Sequence, residues 1–174
     1  YVDVAVMAPI TPRGHETPML AAAEDTEMVA ARLLAAGLAP RFVGTEIGRA
    51  STIKMLRSVM VKGMEALTVE CFRAAARAGV AEEVANSLDA SEGGLGWAEQ
   101  TAYNMERMTA HGIRRAAEMR EVAKTLRGLD VAPVMTTGTI SWEEEMGALD
   151  LSLDSGTPLA EQLTLIERAL EKGE

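Results

Sequence analysis

"RASTIKMLRSVMVKG" spans Arg49 to Gly63, and how it is read decides the fold. It has no proline, and its only glycine is the last residue. Apolar side chains fall on most faces, the pattern of a helix buried on nearly every side. Yet Lys54, Ser58 and Lys62 follow one another at four-residue steps. On an α-helix these three lie within about 80° of one another, and Ser51 and Glu65 share their stripe. One reading is a solvated polar stripe with an ion pair between Lys62 and Glu65. The other is a stripe lining a cleft, where a partly desolvated lysine could exchange protons near neutrality.

The same helix extends outward from this stretch. Ile47 to Ala78 contains no proline and only Gly48 and Gly63 as glycines. The expected helix is about 48 Å long. Downstream, "AEEVANSLDAS" reads as a shorter helix, broken by "EGGLG" (Glu92 to Gly96). A second long helix, in one or two pieces, is expected from Trp97 to Leu126. Ser141 and Glu144 in "SWEEEM" form a capping box that would start another helix, with Glu143 to Glu145 explained as capping charge. "TPLAEQLTLIERALEKG" closes the chain, with Thr157 as cap and Pro158 in the first turn.

Upstream, the pattern changes. Val2 to Met7 is a short apolar run, as expected of a strand buried on both faces. "TPRGHETP" is loop chemistry. "DTEMVAARLLAAG" reads as a helix, capped by Asp25 or Thr26 and stopped at Gly37. "APRFVG" is a second strand. The expected architecture is therefore mainly α. An all-helical domain over 47–174 surrounds a long buried helix, and 1–46 forms the trailing β-α-β edge of a Rossmann-type α/β domain. Since the chain opens inside a strand-like run, it is expected to be the C-terminal part of something longer.

Composition narrows the function. The 174 residues carry a net charge of −9, which argues against a nucleic-acid partner. Only 3% are aromatic while eleven are Met, so the core must be built from Met and aliphatic side chains. No run approaches the roughly 18 apolar residues of a membrane span. The single cysteine, Cys71, fits a reducing, cytoplasmic setting and reads as a packed core residue. His15 has no ligand partner at metal spacing, so no metal is expected. His111, Arg114, Arg115 and Glu118 share one helical face, either as a salt-bridged surface or as an anion site. Glu70, Arg73 and Arg77 form a further stripe, read as solvated.

"VDVAVMAP" followed about 40 residues later by "TEIGRASTIKMLRS" resembles the β-hydroxyacid dehydrogenase and 6-phosphogluconate dehydrogenase superfamily. Its substrate-binding stretch has the form D-A-P-V-S-G-G. Asp3 and Val6 match it, while Met7, Ala8 and Pro9 replace the serine and glycines. Its long helix opens on G-x-x-G-x-G-x-x-x-K-x-x-x-N. Gly48 and Lys54 match here, with Thr45 and Ala50 in place of glycines and Ser58 in place of the asparagine.

The resemblance implies an NAD- or NADP-dependent oxidoreductase that moves hydride between the cofactor and a small hydroxy acid. Lys54 would be its general acid/base. Ser58, Arg57, Lys62, Met7 and Ala8 would bind the substrate, and Arg114 or His111 in "HGIRRAAEMREVAKTL" would contact the cofactor. Val61 stands where decarboxylating members carry a glutamate, which speaks against decarboxylation. The G-x-G-x-x-G fingerprint would lie upstream of Tyr1. A homodimer through the helical domains is expected. The alternatives are a non-catalytic helical dimerisation module, or an imine or keto-acid reductase of the same fold.

Overall fold

The structure, a computed structural model, describes residues 1–91, 96–154 and 156–173. The chain is mainly α and separates into two compact units, Tyr1–Ser58 and Val59–Glu174. The sequence-based division fell at 46/47. One helix, α2 (Arg49–Ala78), begins in the first unit and continues into the second.

The N-terminal unit holds a three-stranded sheet in the order β1 (Asp3–Val6), β2 (Met19–Ala22), β3 (Arg41–Phe42). β1 and β2 run antiparallel, with Asp3 opposite Ala22 and Val6 opposite Met19. β2 and β3 are parallel, with Leu20 opposite Arg41. The sequence pattern missed β2. Its four residues, "MLAA", follow a loop and carry two alanines, which have little strand preference; pairing on both sides overrides that preference. The parallel unit is therefore β2-α1-β3, with β1 added antiparallel.

α1 (Thr26–Ala35) is capped by Asp25, whose carboxylate accepts from the Met28 N–H at 2.9 Å. It stops at Gly37, where φ is +77°. There the Leu38 and Gly37 N–H groups bond back to the carbonyls of Leu33 and Leu34. Ala5, Leu20, Ala22 and Ala50 are the buried centre of this unit, with Met7, Val43 and Ile53 against them.

The helical unit continues α2 and adds α3 (Ala81–Ser91), α4 (Trp97–Gly128), α5 (Val134–Gly147) and α6 (Leu159–Gly173). The "EGGLG" break falls, except for Gly96, outside the described residues. α4 is one continuous helix of 32 residues. Phe72, Val69, Met105, Met108, Met146 and Ile166 are fully buried at the centre. Burying each such side chain contributes about 1.5–3 kcal/mol, so flexible Met does here what aromatics do in other cores.

α4 and α5 approach to backbone contact. A Cβ on Gly112 would overlap the carbonyl oxygen of Glu143 and meet the Cα of Gly147 at 2.8 Å. α5 starts at Val134, behind Pro133, not at Ser141. Ser141 sits inside the helix and donates to the Thr137 carbonyl at 3.3 Å. "VMTTGTI" is weak helix material by propensity; packing on α4 supplies what the local sequence does not. At the last helix, the Pro158 carbonyl accepts from the Gln162 N–H at 3.1 Å, so Pro158 rather than Thr157 is the half-in residue.

α2 is buried along one side only. Lys62, Glu65, Ala66, Thr68, Val69, Phe72 and Arg73 are buried. Leu56, Met60 and Leu67, expected inside, are 39%, 65% and 52% exposed, and Met64 is 41% exposed. Cys71, expected in the core, is exposed too. At helical spacing these five form one stripe, which the described residues leave exposed.

Candidate functional site

The first turn of α2 is held from β1. Gly48 precedes the helix with φ +97° and accepts the Thr52 N–H at 2.8 Å, but it has no side chain with which to cap. Asp3 supplies the missing carboxylate. It is 7% exposed, and it accepts from the Ser51 N–H at 3.1 Å and from the Ser51 hydroxyl. No acidic residue lies in α2's own first turn, so a carboxylate from another element meets the positive end of the helix. Burial pushes the Asp3 carboxyl up. The hydrogen bonds from Ser51 outweigh it, with help from the Ala50 and Gly48 backbone, and hold the group below its ordinary value.

Lys54 follows Ser51 by three residues. Its side chain is exposed, as is that of Arg57, rather than buried among Ile53, Met55 and Leu56. Ser58 is half-buried and donates to the Lys54 carbonyl at 3.0 Å, so its hydroxyl is turned back onto the helix. Met7 and Ala8, just past β1, are half-buried, and the Met7 N–H donates to the Pro18 carbonyl at 2.9 Å. The N-terminal unit thus contains Lys54, Arg57, Ser58, Met7 and Ala8.

Lys62, His111 and Arg114 belong to the helical unit, and there the polar stripe is neither solvated nor paired as expected. Lys62 is 8% exposed and bonds Glu118 of α4 at 2.7 Å, not Glu65. Arg114, exposed, pairs with the same Glu118. Arg115 is 1% exposed, so it is not part of a surface face. Its Nε donates to both oxygens of Glu143, at 3.0 and 3.1 Å, and its Nη2 pairs with Glu65. Thr68 and Asn104 continue the line, the amide nitrogen donating to the hydroxyl at 2.9 Å. The buried side of α2 carries lysine, glutamate and threonine in register because α4 presents their partners.

Glu143 is fully buried and is no capping charge. Burial pushes its carboxyl above the ordinary value, and the charges of Arg115, Lys62 and Arg107 offset that only in part. Glu144 pairs with Arg120, and Glu145 with Arg73. Arg73 was read as solvated but is 9% exposed, held also by Glu167 at 2.8 Å and lying over the Trp142 ring. Glu70 accepts from the Trp142 ring N–H at 2.8 Å. Sequence reasoning missed Asp3 as a helix cap and Arg115 as a buried charge. The first could have been found from Gly48, a helix start with no capping side chain; the second left no local signal.

Residues 75–146 match the domain family described as "Domain of unknown function (DUF1932)", the C-terminal domain of 3-hydroxyacid dehydrogenase-like proteins. A conserved hypothetical protein from Sinorhizobium meliloti 1021 superposes with a TM-score of 0.84 at 34% identity, over 97% of this chain and 57% of that one. The conserved protein MTH1747, of unknown function and described as structurally similar to 3-hydroxyacid dehydrogenases, gives a TM-score of 0.73 at 34% identity, over 84% of this chain and 56% of its own. An uncharacterized 28.5 kDa protein of Methanothermus fervidus is 29% identical over 99 residues, 57% of this chain and 39% of its own. The chain therefore spans little more than half the length of these solved structures, and less of the curated relative. In motif order and in fold, it resembles the C-terminal part of the 3-hydroxyacid dehydrogenase-like proteins.

Proposed function

We propose that this chain is the C-terminal part of an NAD(P)-dependent oxidoreductase acting on a small hydroxy acid, with Lys54 as general acid/base. The observation that carries the reading is the anchored helix start: Asp3 fixes Ser51, and three residues on Lys54 is exposed, where a substrate could meet its amine. In oxidation, the neutral amine takes the hydroxyl proton as the C–H hydride departs and the C=O bond forms; in reduction, the ammonium returns it. Nicotinamide, when bound, supplies the hydride acceptor or donor. Arg57 is exposed and can pair with a substrate carboxylate. Lys62 is already engaged by Glu118, and Ser58 by its own helix, so neither is as available as its spacing suggested.

Of this chain's residues, His111 and Arg114 are exposed on α4 and could meet a cofactor phosphate, Arg114 only by sharing its guanidinium with Glu118. The chain contains no G-x-G-x-x-G, so these residues alone would hold a dinucleotide weakly. The exposed stripe Leu56, Met60, Met64 and Leu67 supports a homodimer. That stripe also favours the second reading, a helical assembly module without chemistry. The test is a screen of hydroxy acids, keto acids and imines with NAD and NADP, run on the longest natural form of the protein. Turnover of a hydroxy acid supports the reading; no turnover with any compound, alongside a stable dimer, favours the module.

A further inference from the structure

A cavity of about 420 Å³ opens between α2 and α4 within the helical unit, in the size range of small-molecule sites. Val61 and Met64 of α2 and the Trp97 ring of α4 form its apolar walls. Its polar side is rich in donors. Asn104, 3% exposed, gives one amide hydrogen to Thr68, and its oxygen already accepts from Gln100 at 2.9 Å, which leaves a second amide hydrogen to give. Arg107 donates to the Tyr103 oxygen at 2.8 Å, so the phenol's own hydrogen remains available. The Arg107 Nε is buried without a hydrogen bond among the described residues, 3.5 Å from a Glu65 oxygen. The other Glu65 oxygen goes to Arg115. The Trp97 ring N–H is buried with no hydrogen-bond partner among the described residues. Unsatisfied buried donors are costly, and two of them in one cavity, Arg107 Nε and Trp97 Nε1, call for an acceptor.

We propose that this cavity binds a small amphipathic monocarboxylate. Its carboxylate would take hydrogen bonds from Arg107, Tyr103 and Asn104, and its apolar body would lie against Val61, Met64 and Trp97. None of these residues belongs to the proposed acid/base machinery, and Met64 alone is shared with the stripe proposed as the dimer seam. The inference therefore stands or falls apart from the dehydrogenase reading.

The probes are 4-phenylbutyrate and its neutral counterpart 4-phenylbutan-1-ol, titrated by calorimetry into the wild-type chain and into Arg107→Gln and Val61→Phe. Thermal melting checks that each variant is folded. The acid should bind at one saturable site per chain, with the alcohol weaker by about tenfold or more. Arg107→Gln should weaken the acid by about tenfold and leave the alcohol unchanged. Val61→Phe should weaken both by filling the cavity. Should Arg107→Gln fail to fold, Tyr103→Phe makes the same comparison. No saturable heat, equal affinity for acid and alcohol, or undiminished acid binding by the folded head-group variants would overturn the proposal.

Discussion

Asp3, in the first strand, accepts hydrogen bonds from both the backbone N–H and the hydroxyl of Ser51, 48 residues along the chain in the first turn of α2. The contact replaces a local cap that Gly48 cannot provide. Asp3→Ala should destabilise the protein by about 1–2 kcal/mol, the loss of a helix cap, and Asp3→Asn by less. The Asp3 carboxyl is held below its ordinary value near 3.8, so its stabilisation is present above that pH and is lost as pH falls through the lower folded value. Chemical denaturation across pH should show wild type and Asp3→Asn separated at neutrality and converging below about 3.8. A gap that widened in acid would contradict this.

Gly112 and Gly147 let α4 and α5 touch, and no side chain fits there. Gly112→Ala should cost about 3 kcal/mol or more, because backbone must move. Gly138, in the same α5, faces open space with an ordinary helical backbone. Gly138→Ala should stabilise by about 0.5–1 kcal/mol. Thermal melts of the two variants should move in opposite directions.

Arg115 serves two buried carboxylates, Glu65 and Glu143. Arg115→Leu leaves Glu143 without its hydrogen-bonding partner and Glu65 with Arg107 alone, and should cost about 3–5 kcal/mol, whereas replacing Arg115, Glu65 and Glu143 together by apolar residues should cost far less. The double-mutant cycle between Arg115 and Glu143 should show strong coupling. Independent, additive losses would mean that the pair is not a unit.

The exposed stripe on α2 should be where two copies meet. Met60→Glu, at its centre and 65% exposed, should shift light scattering from dimer to monomer without lowering helicity. A wild-type chain that is monomeric at micromolar concentration would refute the dimer outright.

Helix order and most helix ends were legible in the sequence, because Gly37 and Gly79 stop their helices by backbone geometry that only local residues control. β2 and the first two turns of α5 were not, since "MLAA" and "VMTTGTI" are made regular by partners distant in sequence. The candidate site was legible in part. Lys54 and Asp3 stood out through motif order. Spacing alone made Lys62 and Glu65 partners of each other; which of a helix's neighbours answers a charge is decided by α4, and no periodicity within α2 records that.

In the proposed reaction the exposed amine of Lys54, set just past an anchored helix start, moves the proton that accompanies hydride transfer. The most direct measurement is kcat for the longest natural form of the protein, with its best hydroxy acid and cofactor, as wild type, Lys54→Ala and Lys54→Arg. Lys54→Ala should lower kcat by about 10²–10⁴ with an unchanged melting temperature. Lys54→Arg should fail nearly as badly, because a guanidinium does not release its proton. Near wild-type turnover by either variant would contradict the claim and leave Lys54 as surface charge.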